Sequence, residues 1–492
     1  MWITRRIVTV LGAAALVISL AVSLSGCSTN PATGESSFTA FMSPDQEIQV
    51  GRQEDPKIRA QFGGAYEPPR LAAYVERVGL GLSRFAEIPK VNFTFSILNS
   101  PTVNAFALPG GYVYVTRGLL ALAGNEAELA GVLAHEIGHV TARHAAQRYS
   151  RSVATVLGAG LLGAVIGDRG VSEIINTGAD LYLRGYSRDQ EYEADTLGVR
   201  YLTRAGYDPG AMASFLTKMR EHARLEARIQ GRERDPDGFD LLATHPRTLE
   251  RVQRALLEAS IHPVTNPKVG RRVYLSELDR MLYGDDPEQG LIRGREFIHP
   301  SIGFRFEVPD GFRLVNRPTQ VLAIGPAGVR IAFTRARGEL PSSMAAYIRD
   351  FWGQKLDMRN VEPINVNGLV AGTGHARVTT KSGLTDVRLV AIRTGSDVVS
   401  RFLFVTPPAL TNKYSRALRD TTYSYRSLNE SERRTAGAAM LRVRTLKPGE
   451  TVRTLSARMP KGPLGAERFR VLNGLDPGEP LPSGGLVKIV EQ

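Results

Sequence analysis

The chain predicts an α+β protein: a mainly helical domain with a small sheet, then a small α+β domain and a βααβ C-terminal module. Three observations predict it. Helical periods with capping residues dominate to about residue 260, broken by two strand-like runs. From about residue 290, short alternating runs replace them, and from about 440 a strand, a Pro-Gly turn, two short helices and a last strand follow in order. A length of 492 residues suits two or three domains, and 42% hydrophobic content is ordinary for a globular chain.

The N-terminus carries Arg5 and Arg6, an apolar run from Ile7 to Leu24, and then Ser25-Gly26-Cys27. A basic start, an apolar stretch and small residues before a cleavage point describe a secretory signal peptide over 1–26. Its ending resembles a bacterial lipobox, which implies that Cys27 is lipidated as the mature N-terminus. Cys27 is the only cysteine, so no internal disulfide can form and acylation explains the thiol. An uncleaved membrane anchor is the alternative, since the run nears a spanning length. Ser28 is not the aspartate that marks inner-membrane retention in enterobacterial lipoproteins, so the resemblance implies a periplasm-facing, outer-membrane address. Residues 27–42, polar and rich in Pro, Gly and Ser, are expected to be a tether.

A domain is expected over 43–262. Val91, Phe93, Phe95 and Ile97 alternate with polar residues as in a half-buried strand, and Tyr112–Thr116 forms a second after the Pro109-Gly110-Gly111 turn. Asn104 and its neighbours are candidates for the rim of an edge strand that could take an extended peptide; an ordinary structural hairpin is the other reading. Residues 135 to 139 read His-Glu-Ile-Gly-His. Four-residue spacing on a helix puts His135 and His139 on one face, where both can reach one metal ion. Glu136 beside them can take a proton from a water. Asn125 and Glu128 predict a capping box, and Leu129, Val132, Leu133, Ile137 and Val140 a buried stripe. Gly131, Gly138 and Ala142 are expected to keep the histidine face uncluttered.

Zinc needs a third protein ligand. The H-E-x-x-H-x-x-G-x-x-H pattern fails, because Ala142 and Ala145 stand where Gly and His would be required. His144, five residues after His139, would sit on another side of a continuous helix, behind a ligand or at the surface. A second helix begins at the Ser187/Gln190 capping box, with Glu191 and Asp195 on one face. Glu191 can ligate the metal and Asp195 can accept the outer N–H of a ligand histidine; an acidic helix start favoured by the dipole is the plainer reading.

Four strings occur in order: Asn104 to Tyr112 (Asn-Ala-Phe-Ala-Leu-Pro-Gly-Gly-Tyr), the His135–His139 run with Arg143-His144, Ser187-Arg188 through Glu191 to Asp195, and His245-Pro246 with Thr248 and Arg251. Together they resemble the HtpX-like and CAAX-prenyl-protease-like family of gluzincin zinc metallopeptidases, especially its periplasmic, lipoprotein-like members, over roughly residues 40 to 260. The resemblance implies one Zn2+ per chain held by His135, His139 and Glu191, with Glu136 as general base and Asp195 behind the ligands. It also implies a place for His245 near the metal, as a gate on the open position; from the bare residues His245 equally well starts a helix before Pro246. The implied activity is endoproteolysis of misfolded or misassembled envelope proteins. No thirty-four-residue repeat is visible, which departs from some periplasmic relatives.

The apolar stretch 153–167, with four glycines, is too short for a comfortable span and is expected to pack over the metal helix or cover the site. The charged segment 228–240 reads as an exposed loop near His245. An α+β accessory domain is expected over 290–430, with strands at 303–308, 329–335, 386–393 and 398–405 and one helix around Met344, Tyr347, Ile348 and Phe351. The last module, 438–492, resembles a degenerate LysM unit, which implies peptidoglycan as a partner; a structural cap without ligand is the alternative. The net charge of +13 suits anionic lipid, cell-wall polymer or acidic substrates, while the export signal argues against nucleic acid. Two further function classes stand beside the enzyme: a gated zinc protein acting as a chaperone, and a cell-wall-binding anchor.

Overall fold

The structure, a computed structural model, describes residues 27–166, 185–229, 245, 249–380, 383–460, 462–481 and 484–492. The expected signal peptide, most of the 228–240 loop, and Pro246 to Thr248 lie outside the described residues.

Two compact units form: the first takes the chain up to Arg59, Gly64–Met281 and Leu441–Glu491; the second takes Ala60–Gly63, Leu282–Met440 and Gln492. The first unit begins with β1 (Cys27–Thr29) and β2 (Ser36–Phe38), an antiparallel pair where a free tether was expected. The pairing persists because its polar side chains find partners: Arg143 donates to Ser28 Oγ at 2.9 Å, and Asn30 Nδ2 donates to Glu193 Oε1 at 2.6 Å. Helices α1 (Pro44–Gln61) and α2 (Pro69–Ser83) follow. Strands β3 (Thr94–Leu98), β4 (Ala105–Leu108) and β5 (Tyr112–Thr116) make a sheet ordered β3-β5-β4, in which β4 is an edge. The β4–β5 turn needs glycine: Gly110 has φ +82°, and a Cβ there would meet Ile48 Cα at 2.8 Å. Sequence reading missed β4, because all four of its residues are buried and no alternation shows.

Next come α3 (Arg117–Leu122), α4 (Glu126–Thr141), α5 (His144–Ile166), α6 (Arg188–Arg204), α7 (Ala211–Ile229), α8 (Leu249–Ile261) and α9 (Arg271–Leu278). The apolar stretch 153–167 continues α5 as far as Ile166. Among the described residues no helix is long and apolar enough to cross a membrane.

The second unit is larger and richer in strands than expected. Strands β6 (Leu282–Tyr283), β7 (Leu291–Arg293), β8 (Glu296–His299), β9 (Phe304–Glu307), β10 (Arg313–Arg317), β11 (Gln320–Ile324) and β12 (Arg330–Arg337) lead to α10 (Met344–Tyr347). Then follow β13 (Arg359–Val366), β14 (Leu369–Thr380), β15 (Gly383–Arg393), β16 (Val398–Thr406), α11 (Thr411–Ser424), β17 (Arg426–Ser427) and α12 (Glu430–Thr435). A seven-stranded antiparallel sheet is ordered β10-β11-β12-β16-β15-β14-β13. Phe304, Phe306, Phe333, Phe402 and Tyr425 form its dry centre, with Phe306 and Phe333 centroids 4.9 Å apart.

The tail folds as β18 (Ala439–Thr445), α13 (Val452–Ser456), α14 (Gly465–Asn473) and β19 (Leu486–Glu491). From Leu441 on it belongs to the first unit instead of standing alone. Lys488, 1% exposed, explains the attachment: its ammonium donates to the carbonyls of Ala121, Leu122 and Ala123 at 2.5, 3.3 and 2.8 Å. It satisfies the orphan carbonyls at the end of α3, immediately before the metal helix.

Candidate metal centre

Helix α4 starts at Asn125, whose side chain accepts from the Glu128 N–H at 2.8 Å. The expected capping box is half made, because Glu128 turns instead to Gly124 N (2.7 Å) and to Lys218 Nζ (2.6 Å). Every residue from Ala127 to Thr141 is buried. The glycines expected to clear the histidine face serve helix packing instead: a Cβ at Gly138 would stand 3.1 Å from Ala194 O on α6, and one at Gly131 would stand 3.4 Å from Met212 on α7. Helix α6 starts at the complete Ser187/Gln190 capping box. That register brings Glu191 and Asp195 onto the face turned to α4.

The four groups His135, His139, Glu191 and His245 place one donor atom each within 4.8 Å of one another. The Nε2 atoms of His135 and His139 are 3.0 Å apart, and each lies 3.6 Å from a Glu191 oxygen. His245 Nδ1 lies 2.9 Å from Glu191 Oε1, and its Nε2 lies 3.4 Å from Glu136 Oε1. Asn104 borders the same small cavity, about 40 Å3, with Val132, Met212 and Phe215. Its backbone pairs with Thr116 (3.0 Å each way), which starts edge strand β4 beside the site.

Each ligand histidine is held from behind. Asp195 Oδ1 sits 2.9 Å from His135 Nδ1, and Arg251 grips both Asp195 oxygens at 2.7 Å. Arg251 also reaches Glu191 Oε2 at 2.6 Å. On the other side His139 Nδ1 is 2.7 Å from His144 Nδ1, and His144 Nε2 is 3.1 Å from Glu193 Oε2. The Glu193 carboxylate accepts from His144 Nε2–H, so His144 Nδ1 accepts from His139 Nδ1–H. With Asp195 behind His135 and His144 behind His139, the two Nε2 atoms are turned toward each other.

Sequence reading treated α4 and the following residues as one helix, and that is why His144 was left undecided. The helix ends at Thr141, Arg143 takes a left-handed φ of +57°, and a new helix begins at His144. The break lets a residue five places on return to the histidine it follows. Arg251, Glu193 and Tyr186, whose ring stacks on His139 at 3.9 Å, received no role from sequence. A helix-face pattern in 249–261 names only buried positions, and the buried Arg251 was the signal available.

Two lone pairs facing each other across 3.0 Å, beside a carboxylate, fit a cation. Glu136 Oε2 is buried without a hydrogen-bond partner and so adds a polar atom that protein groups leave unserved. Burial pushes Glu136 up and holds His139 well below the usual histidine range. Burial would raise Glu191 too, but His245 and Arg251 hold it below the usual carboxylate range. Neutral imidazoles and an ionised carboxylate are the forms that bind a metal, and two nitrogens with one oxygen are a donor set that zinc takes.

A family model described as peptidase family M48 matches residues 69–259. A beta-barrel assembly-enhancing protease of Yersinia pestis is 32% identical, covering 50% of this chain and 51% of the relative. Its namesake from Escherichia coli K12 is 34% identical, covering 44% of each chain. A mitochondrial metalloendopeptidase OMA1 of Arabidopsis thaliana is 33% identical over 44% of this chain and 37% of its own length. The chain thus spans about half the length of the bacterial relatives it matches, and the second unit lies outside the family match. The matched residues carry the helix pair, the facing histidines and the glutamate, so residues 69–259 are similar to peptidase family M48.

Proposed function

We propose that the chain is a zinc-dependent endopeptidase of the bacterial envelope that degrades misfolded or misassembled envelope proteins. The observation carrying this reading is the buried, partnerless Glu136 Oε2 beside two histidine lone pairs that face one point. His135, His139 and Glu191 would hold zinc, which when bound supplies Lewis acidity for the scissile carbonyl and for a water. Glu136 takes the water proton and delivers it to the leaving amine; its upward-shifted pKa suits a group that must carry a proton midway. Asp195 and Arg251 keep His135 in the tautomer that presents Nε2. Edge strand β4, which follows Asn104, offers backbone pairing to an extended substrate. Glu136→Gln tests the reading: casein hydrolysis falls about 10²- to 10⁴-fold while zinc content stays at one per chain. Hydrolysis at the wild-type rate defeats it.

A second reading has its own observation. His245 stands 2.9 Å from Glu191 and 3.4 Å from Glu136, in the space that water or substrate needs. A fourth ligand closes a zinc site. Such a protein would be latent until His245 moves, acting meanwhile as a chaperone.

The address belongs to the same proposal: lipid on Cys27, after the lipobox-like Leu24-Ser25-Gly26, holds the protein at the periplasmic side of the outer membrane. The strand–helix–helix–strand order of the tail supports a peptidoglycan-binding module, while its seat on the first unit supports a structural cap.

A further inference from the structure

The second unit contains a cavity of about 970 Å3 between α11 and strands β13 to β16. That volume suits an organic ligand of ordinary size. Two of its arginines are already neutralised: Arg377 by Asp386 at 2.6 Å and Arg359 by Asp357 at 2.8 Å. Three others, Arg388, Arg416 and Arg419, line the same space and make no ion pair among the described residues. Glu362, exposed on the wall, pairs with none of them.

Arg388 is fixed in place. Its Nε donates to Thr373 Oγ1 at 3.1 Å, and its guanidinium lies over the Phe404 ring, 5.5 Å from the centroid. Those contacts leave its terminal amino groups for a ligand. Burial presses its proton affinity down, Tyr423 opposes this, Arg419 adds to it and Glu362 opposes it, so a second cation and one exposed carboxylate are both close enough to be felt. Arg416 and Arg419 stand three residues apart on α11, a spacing at which like charges repel. Three guanidiniums collected without a counter-ion are a cost that an anion removes.

The chemistry of that anion follows from charge and shape. Guanidinium forks match the oxygens of phosphate and carboxylate alike. One carboxylate neutralises one arginine, whereas a phosphoryl group brings about −1.5 to −2 charges and three acceptor oxygens. Ile364 and the exposed Tyr423 ring line the remainder with apolar surface that inorganic phosphate would leave bare. We propose that the second unit binds an organic phosphate, its phosphoryl group held by Arg388, Arg416 and Arg419 and its organic part laid over Ile364 and Tyr423. The group can come from a phospholipid headgroup or from a soluble phosphate ester.

The test uses the full chain with phenyl phosphate in calorimetry at physiological salt, and with vesicles of phosphatidylglycerol in phosphatidylcholine by co-sedimentation. Phenyl phosphate should bind saturably and more tightly than inorganic phosphate. Arg416→Gln with Arg419→Gln, both on the exposed side of α11, should weaken it at least about tenfold. Arg388→Lys should weaken it too, since a point charge replaces a fork. Arg317→Gln with Arg330→Gln removes two exposed charges elsewhere on the sheet and should change affinity less than about twofold. Vesicle binding that the α11 double variant abolishes assigns a lipid headgroup; phenyl phosphate binding without vesicle retention assigns a soluble ester. Equal weakening by the two double variants, or no saturable binding of either probe, overturns the proposal.

Discussion

The two units bury opposite kinds of side chain. Around α4 the first unit encloses ionisable groups, among them His135, His139, His144, His245, Glu136, Glu191, Asp195 and Arg251. The second unit closes over rings: Phe297, Phe304, Phe306, Phe333, Phe402 and Tyr425. An aromatic centre is stable through area and packing alone. An ionisable centre is stable only while every charge is matched, and the facing His135 and His139 nitrogens are matched by a cation. On the proposed reading the first unit depends on metal for its integrity as well as its chemistry, and the second does not.

The sharpest way to break that contrast is Glu191→Ala. It removes a ligand and leaves Arg251 and His245 without their carboxylate, so zinc stoichiometry should collapse and the first unit lose about 3–5 kcal/mol. Calorimetry with and without chelator reads this directly: chelation should shift the wild type's first-unit transition and leave the variant's unchanged. A variant that keeps one zinc per chain removes Glu191 from the ligand set.

Phe402→Ala is the counterpart. It should cost the second unit about 3–5 kcal/mol through a cavity among five rings, with no change in zinc content or hydrolysis. Loss of hydrolysis in this variant would erase the independence of the two centres.

A smaller effect is expected from His245→Ala. If the imidazole blocks the open position, casein hydrolysis and self-cleavage rise by several-fold, on the order of 1 kcal/mol, with zinc retained. A fall with zinc retained would place His245 in stabilising the transition state instead.

The smallest concerns pH. Burial among Phe297 and Phe304, and then the Arg335 charge, push His299 down to about 4. Its Nδ1 accepts from the Ile302 N–H at 3.4 Å, which requires the unprotonated form. The unfolded chain binds this proton below about pH 6.5 and the folded unit only below about 4, so stability is full above 6.5 and falls between those values. His299→Phe should flatten that slope, worth roughly 1–3 kcal/mol, in denaturant melts of the second unit.

What could be read from the sequence follows the same divide. The pairing of His135 with His139 was legible because helical spacing is one-dimensional; a capping signal placed the helix of Glu191 and Asp195, whose roles came only from the family resemblance. The supports behind them were not, because Glu193, His144 and Arg251 meet only after α4 breaks at Arg143 and α8 folds back. In the second unit β15 and β16 showed their apolar runs. Strand β14 did not: Ala371 to Gly374 are buried on both faces, so no alternation appears. Gly372 is there because a Cβ would meet Ala345 N on α10 at 2.6 Å. Helix α11 hid for the opposite reason, since it buries only Leu418, Thr421 and Thr422.

Lys488 has a consequence for the order of events during synthesis. The carbonyls it closes end α3, one turn before the metal helix, yet they are made more than 360 residues earlier. The ribosome must deliver the whole second unit before that ammonium exists, and contacts of such separation form slowly. Until that distant contact forms, the entry to the metal helix stays unsealed. The closed end of α3 thus reports that the tail has docked, and a chain whose tail has not docked keeps those carbonyls open.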